Sequence, residues 1–334
     1  MTEHINGTNV QHVFVVFNPV AGTRDPEDIR RIFDDAFGKA SCTYDLYETT
    51  GKDDIVSVVE EALQKNPSLV VAAGGDGTVA AVASAISHTD IALAIVPVGT
   101  ANVLARELNI PINAERACRL IVEEHTTTQI DAMQIDNQRF FLQIGFGIDS
   151  LIMRDTPREE KRRFGRLAYV RTGIGWLFGH NPIRFTLVVD GKRYRPKATQ
   201  ISIVNGGAFG IPFLRWAPDI YPDDGQVDVC IVKARSLLDY FLTFWQIVLG
   251  RQRVGRRIQY FTARESVTIH ADRPIPGQAD GELIEELPVR VRIVPGALKV
   301  VVPPEGSSGQ QKAPERASAK TVEPAEQPVE VSQV

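Results

Sequence analysis

The stretch Leu69-Val70-Val71-Ala72-Ala73-Gly74-Gly75-Asp76-Gly77-Thr78-Val79 decides how the rest of the chain reads. A short β-branched run ends in three glycines around one acid, and a helical-period segment, Gly77–Ile86, follows at once. Glycine lets a backbone come close to a ligand, and the unbonded amides of a helix start suit a phosphate. The pattern is neither the G-x-G-x-x-G fingerprint of dinucleotide folds nor the GK[ST] loop of nucleoside triphosphatases. Its bland alternative is a strand-to-helix turn in which Asp76 caps the helix. Three glycines around an acid cost more backbone entropy than such a turn requires, which favours a ligand site.

Two further loops occupy the same position. Asn18-Pro19-Val20-Ala21-Gly22 follows the strand-like run Val13–Phe17, and Pro97-Val98-Gly99-Thr100-Ala101-Asn102 follows Ile91–Val96. With Thr43–Glu48, these runs alternate with the helical segments Pro26–Lys39, Asp53–Asn66, Gly77–Ile86 and Ala101–Leu108. That alternation predicts an open parallel α/β sheet with crossover helices. Ligands bind such sheets at the carboxyl ends of the strands, so three glycine-bearing loops there predict a nucleotide cradle.

After Ile130 the character changes. Met133–Asp136, Phe140–Ile144, Arg184–Val189, Gln200–Val204, Val227–Val232, Ser266–His270 and Val289–Val294 read as strands, several joined by Asp-Gly or Asn turns. They predict a second, mostly antiparallel, sandwich-like β domain. Two helical segments, Arg163–Phe178 and Leu237–Gly250, interrupt it. The expected division is an α/β nucleotide-binding domain over 1–130 and a β-rich substrate domain over 131–303, whose last strands could pack back on the first. From Pro304 the chain has no aromatic residue and is rich in Pro, Glu, Gln, Ser and Ala, so 304–334 reads as a disordered tail.

A length of 334 residues with 43% hydrophobic is enough for two cores. The balance of 37 Lys+Arg against 41 Asp+Glu gives a net charge of −4, so no nucleic-acid partner is expected. Leu237–Gly250 is the longest apolar stretch and falls short of the roughly 20 residues a membrane span needs. The polar N-terminus lacks the pattern of a secretory signal, which places the expected site of action in the cytoplasm. Cys42, Cys118 and Cys230 are scattered, and the six histidines have no metal-ligand spacing, so neither a disulfide framework nor a zinc site is expected.

The motifs FNPVAG (17–22), Thr49-Thr50, GGDGT (74–78), PVGTANVLARELNIP (97–111), FGID (146–149), DDGQVDV (223–229) and ADGE (279–282) occur in this order. With them the chain resembles the diacylglycerol kinase catalytic-domain family, in its branch of soluble bacterial lipid kinases. That branch is similar to sphingosine and ceramide kinases and, more distantly, to NAD kinases. The resemblance implies an ATP site between two domains, formed by Asn18, Pro19, Val20, Ala21, Gly22, Thr50, Ala73, Gly74, Gly75, Asp76, Gly77, Thr78, Val79 and Thr100. It implies a structural Mg²⁺ held by Asp224 and the carbonyls of Tyr221 and Gln226, with Asp131 joining through water. It also implies a general base in the Asp-Gly-Glu motif, so Glu282 and Asp280, with Asp76, form the expected catalytic set. If Asp280-Gly281 is a tight turn, Asp280 rotates away and Glu282 opens the next strand. Glu282 is therefore the expected proton acceptor and Asp280 the residue that orients it or the substrate.

The implied reaction is transfer of the γ-phosphoryl group of ATP to a lipid hydroxyl, with diacylglycerol giving phosphatidic acid. The alternatives are a sphingoid-base kinase, an NAD kinase-like enzyme, or a lipid-binding regulator without catalysis. Three departures bear on this choice: Ala80 and Ala81 stand where the family often has Asn-Glu, and Ala21 where it usually has Ser. The partner would be a lipid at the membrane surface, met by peripheral contact; pairing as a homodimer is left open. Two basic clusters suit anionic head groups: Arg154, Arg158, Lys161, Arg162, Arg163, Arg166 and Arg171, and then Arg251, Arg253, Arg256 and Arg257 beside the apolar segment Leu237–Gly250. Solvated charged faces are the plainer account of both.

Overall fold

The computed structural model describes residues 3–5, 11–40, 42–123, 125–156, 182–209, 214–234, 236–251 and 257–304. The segment expected to be helical over Arg163–Phe178, all of the first basic cluster except Arg154, together with Arg253 and Arg256 of the second, and the tail from 305 lie outside these residues. The elements of the first half are β1 (Glu3–Ile5), β2 (His12–Phe17), α1 (Pro26–Lys39), β3 (Thr43–Glu48), α2 (Ile55–Leu63), β4 (Leu69–Gly74), α3 (Asp76–Ile86), β5 (Ala92–Pro97), α4 (Val103–Glu107) and α5 (Ala114–Val122). The second half begins with β6 (His125–Ile135), β7 (Gln138–Phe140), β8 (Gln143–Gly147), α6 (Ile148–Asp155), β9 (Ile183–Val189), β10 (Lys192–Tyr194), β11 (Lys197–Ala198), β12 (Gln200–Val204) and β13 (Val227–Val232). It closes with α7 (Leu237–Val248), β14 (Ile258–Ala263), β15 (Ser266–Ala271), β16 (Pro276–Ala279), β17 (Glu282–Glu286) and β18 (Val289–Val302).

β4 and β5 are buried at every position, as strands covered on both faces must be. They lie in a parallel run β3-β2-β4-β5. Helix α1 shows how the sequence makes the cover. Asp25 caps its first turn by accepting the Glu27 amide, Pro26 opens it, and Ile29, Phe33 and Phe37 recur on the buried face. Phe33 meets Phe17 of β2 edge to face at 5.7 Å. α5, which the sequence pattern left unassigned, buries Ala114, Ala117, Cys118 and Ile121 on that same side and is capped by Asn113.

The expected boundary near residue 130 does not divide the backbone, because one sheet crosses it. β18 runs 14 residues rather than stopping at Val294. Its first part pairs with β15 in the antiparallel half, and Val300 pairs in parallel with Leu93 of β5. β6 begins at His125 and runs antiparallel along β18 throughout. The stretch expected as one strand over Phe140–Ile144 is broken into β7 and β8 by Phe141 and Leu142. A second sheet, β14-β13-β12-β8-β16-β17, is antiparallel throughout and packs on the antiparallel half of the first. Met133, Phe146, Phe185, Leu187, Ile201, Ile203, Val229 and Val291 fill the space between them. The fold is a parallel α/β sheet joined to a β-sandwich. Among the described residues no helix is long and apolar enough to cross a membrane.

β18 can serve both layers because it is irregular between Val294 and Leu298, where Gly296 takes a left-handed φ of 58°. Asp131 of β6 pins that irregularity: Oδ1 accepts the Gly296 amide at 2.8 Å and Oδ2 accepts the Gly225 amide at 2.6 Å. Burial pushes the Asp131 carboxyl up, and the two amides oppose that shift. Asp131→Ala should therefore strand two half-buried amides and cost about 1–3 kcal/mol, read as a lower urea midpoint with unchanged slope. An unchanged midpoint would remove Asp131 as the pin between the layers.

Candidate functional site

The three glycine-bearing loops meet at the carboxyl ends of β2, β4 and β5. The Asn18 amide bonds to the Ala73 carbonyl at 2.9 Å, and the Val98 and Gly99 amides both bond to the Gly74 carbonyl at 3.1 Å. Contact is so close that a Cβ on Gly22 would fall 2.0 Å from the Val98 carbonyl oxygen, and one on Gly99 2.5 Å from the Gly75 Cα. Gly75 and Gly77 differ. A Cβ on Gly75 would have ordinary contact, and one on Gly77 would meet nothing within 4 Å. Gly77 stands in the first turn of α3, where the protein's own packing gives no reason to avoid a side chain. That open volume at the first-turn amides is what a bound phosphate requires.

Asp76 does not cap its own helix. Gly75 is the N-cap of α3, and the Asp76 carboxylate reaches across to accept the Val103 amide at 2.5 Å, the first residue of α4. Asn102 holds the same junction from the other side. It sits in the left-handed region at φ 49°, which Asn tolerates, and its Nδ2 donates to the Gly99 carbonyl at 2.7 Å. Asn102 was quoted within its motif but given no role by sequence reasoning.

The expected nucleotide residues separate into two groups. Ala73 and Val79 are core side chains, and the Val79 amide is spent on the Gly75 carbonyl, so both are scaffold and not ligand contacts. Thr78 is buried beside Gly74, with its hydroxyl 3.4 Å from Asn18 Nδ2. Thr50 donates its hydroxyl to Asp53 at 2.9 Å. Pro19 and Ala21 are half-buried, whereas Val20 is 81% exposed. Gly74 is buried at the end of β4, and Gly22, Gly75, Gly77 and Thr100 line the loop rims.

The second half of the site is a hairpin. Asp280 and Gly281 both have positive φ, 46° and 93°, and form the two-residue turn between β16 and β17, which leaves Glu282 exposed at the start of β17. The Asp280 carboxylate accepts three consecutive amides: Phe141 at 2.7 Å, Leu142 at 3.0 Å and Gln143 at 2.9 Å. Asp190 makes the same arrangement in the turn between β9 and β10, accepting Arg264, Glu265 and Ser266. At exposed Asp190 burial is outweighed by the amides and the carboxyl is held low. At Asp280 burial wins, Asp76 adds its negative charge, and the carboxyl is pushed up to about 6. The turn chemistry is common to both, and the setting beside Asp76 is particular to Asp280.

A connected polar path leads onward. The Gly281 amide donates to Gln278 Oε1 at 3.3 Å, and Gln278 Nε2 donates to Asp149 Oδ2 at 3.1 Å. Burial also pushes the Asp149 carboxyl up to about 6. Asp149 stands in the FGID motif, and nothing in its local pattern marked it as buried. Glu107 was likewise missed: at the end of α4 its side chain is 2% exposed and is held by Arg215 at 2.7 Å and by the Ala208 amide at 2.9 Å.

The loop expected to hold a metal lies beside this pair. Asp224 accepts the Gln226 amide at 3.3 Å and Gln226 Nε2 at 3.1 Å, while Asp131 meets the loop directly through Gly225. Each Asp131 oxygen accepts one backbone amide, which holds the loop in place. Among the described residues no three His, Cys, Asp or Glu side chains converge as a metal cluster. A hard cation would therefore need backbone carbonyls beside Asp224, and an oxygen-only set of that kind suits Mg²⁺.

Two outcomes follow. Gly77→Ala should leave the melting temperature unchanged or raise it, because alanine is better in a helix by about 1 kcal/mol, yet it should lose nucleotide affinity. Unaltered nucleotide affinity in that variant would reject the cradle. The second concerns pH. Asp149 and Asp280 have folded pKa values above their ordinary range, so the native state binds more protons between about pH 4 and 6. Their contribution to stability is full at the low end and lost as pH rises through about 6. Asp149→Asn should flatten the fall in urea midpoint between about pH 4.5 and pH 7. An identical fall in wild type and variant would contradict the buried charge.

Two family models match in succession: the diacylglycerol kinase catalytic domain over residues 12–135, and the YegS C-terminal NAD kinase beta sandwich-like domain over 143–302. Among relatives, a diacylglycerol kinase of Bacillus subtilis (strain 168) is 27% identical over 300 residues, covering 87% of this chain and 96% of that one. A diacylglycerol kinase of Mycobacterium tuberculosis is 29% identical over 271 residues, covering 78% and 86%. In fold, the chain is similar to a crystal structure of a diacylglycerol kinase from Bacillus anthracis str. Sterne, with a TM-score of 0.73, 24% identity and coverage of 88% and 98%. With both domain models matched in order, and with the glycine loops and the Asp-Gly-Glu turn brought to one seam, the chain belongs to the diacylglycerol kinase catalytic-domain family and is a lipid kinase.

Proposed function

We propose that this lipid kinase transfers the γ-phosphoryl group of ATP to the hydroxyl of diacylglycerol, acting in the cytoplasm and peripherally to the membrane. The observation that carries this reading is the placement of the Asp280-Gly281-Glu282 turn. Three amides lock it, and Asp280 is near enough to Asp76 of the glycine loop for the charge of Asp76 to act on it. Donor and acceptor halves of a transfer reaction are thereby brought to one place. The relatives named diacylglycerol kinase support the choice of acceptor.

The residues divide the work as follows. The first-turn amides of α3 and the open volume at Gly75 and Gly77 receive the phosphates of ATP. Asp280 is already bound by three amides, so it fixes the turn. Glu282, exposed at the start of β17, is the carboxylate that takes the proton. The acceptor hydroxyl oxygen bonds to the γ-phosphorus, the bond from that phosphorus to the bridging oxygen breaks, ADP leaves, and the hydroxyl proton passes to Glu282. Asp224 with the carbonyls of Tyr221 and Gln226 would hold Mg²⁺, which would neutralise the acids of that loop.

The test is transfer of label from γ-labelled ATP to diacylglycerol, monoacylglycerol, sphingosine, ceramide, phosphatidylglycerol and NAD in parallel. Label in phosphatidic acid is expected; label confined to NAD or sphingosine would overturn the acceptor. With the acceptor saturating, Glu282→Gln should lower kcat by about a hundredfold to ten-thousandfold with ATP affinity nearly unchanged. Asp280→Asn should lose stability as well as turnover, since an amide group cannot accept all three N–H donors. If Glu282→Gln keeps more than about a tenth of turnover while Asp280→Asn folds normally and is dead, the two roles are exchanged.

A further inference from the structure

Helix α7 is apolar nearly all round, yet only one side of it is covered. Tyr240 and Ile247 pack inward on a cluster of Trp216, Cys230 and Ile258, and Thr243 is buried with them. On the other side Leu238, Phe241, Phe244, Trp245, Val248 and Leu249 are 44% to 64% exposed. At 100° per residue these six fall within an arc of about 140°. The described residues hold nine exposed large hydrophobic side chains, and six of them are on this one face. Scattered exposed apolar residues need no explanation, but a contiguous aromatic face does.

The surrounding charge indicates what covers it. Residues 240–264 contain Arg251, Arg253, Arg256, Arg257 and Arg264 and no acidic residue, in a chain of net charge −4. Asp239, the acid at the start of the helix, is turned onto Arg257 at 3.1 Å. Arg251 is exposed directly after the helix. An aromatic face that the sequence follows with arginines, Arg251 among them exposed, has the composition of a helix that lies in the interface of an anionic bilayer.

We propose that the exposed face of α7 docks this enzyme on an anionic bilayer, inserting Phe241, Phe244 and Trp245 at head-group depth. The choice of a bilayer rests on the proposed lipid acceptor, but the docking can be measured without turnover. The full chain is mixed with vesicles of phosphatidylcholine containing about a third phosphatidylglycerol, without nucleotide, and the bound fraction is read by flotation. The triple variant Phe241→Ser, Phe244→Ser, Trp245→Ser should bind at least about tenfold more weakly and keep wild-type turnover on a short-chain, water-soluble acceptor. Arg251→Glu, which leaves the apolar face intact, should weaken binding to these vesicles and not to pure phosphatidylcholine. Trp245→Phe should still bind but lose part of the tryptophan quenching caused by lipids brominated near the glycerol. Equal vesicle binding by wild type and triple variant would overturn the proposal, as would undiminished quenching in Trp245→Phe. A wild-type dimer in sedimentation that the triple variant dissociates would assign the face to a second copy instead. Failed vesicle binding with intact phosphatidic acid synthesis would reject only the surface and leave the reaction standing.

Discussion

Three successive amides, those of Phe141, Leu142 and Gln143, converge on the carboxylate of Asp280 at the point where the α/β half of the chain passes into the sandwich. Phe141 and Leu142 are the residues between β7 and β8, so their amides have no ladder of their own to join. A buried carboxylate is costly alone and three buried amides without acceptors are costly together, so each makes the other tolerable. The arrangement draws the β16–β17 turn against the connection between the halves. Asp280 and Asp76 of the glycine loop then stand close enough for the charge of one to act on the other.

Two other acids tie the same seam. Asp131 holds the irregularity of β18 and the Gly225 turn, and Glu107 takes Arg215 in a bidentate pair that fastens α4 to the second half. Breaking a buried pair of that kind leaves an uncompensated charge, which gives each tie a high cost of removal. A kinase that works by positioning and charge neutralisation depends on rigid placement of its loops. Here the rigidity comes from carboxylates gripping backbone amides, and from one long strand shared by both sheets, rather than from a large apolar interface alone.

The parallel strands and α1 were legible in the sequence because burial on both faces demands continuous apolar runs, and because Asp25-Pro26 is a strong helix start. The glycine loops were legible for the same local reason. Legibility stopped where meaning depends on a distant partner. Asp190-Gly191 and Asp280-Gly281 are the same dipeptide in the same turn, and only the surroundings of Asp280 separate them. Asp149 in its FGID motif and Glu107 near the end of a helical segment carry no local sign of burial, which is set by Gln278 and Arg215, residues more than a hundred positions away. The extent of β18 was hidden by Pro295-Gly296, which reads as a strand end and is in fact an irregularity held by Asp131.

The central claim is that Asp280 fixes the connection between the halves. Native-state hydrogen exchange at the Phe141, Leu142 and Gln143 amides measures this directly. If the carboxylate holds them, these three amides exchange only on the timescale of global unfolding in the wild type, and in Asp280→Ala they exchange far faster while the amides of β4 and β5 stay protected. Fast exchange at all three positions in the wild-type protein would contradict the account.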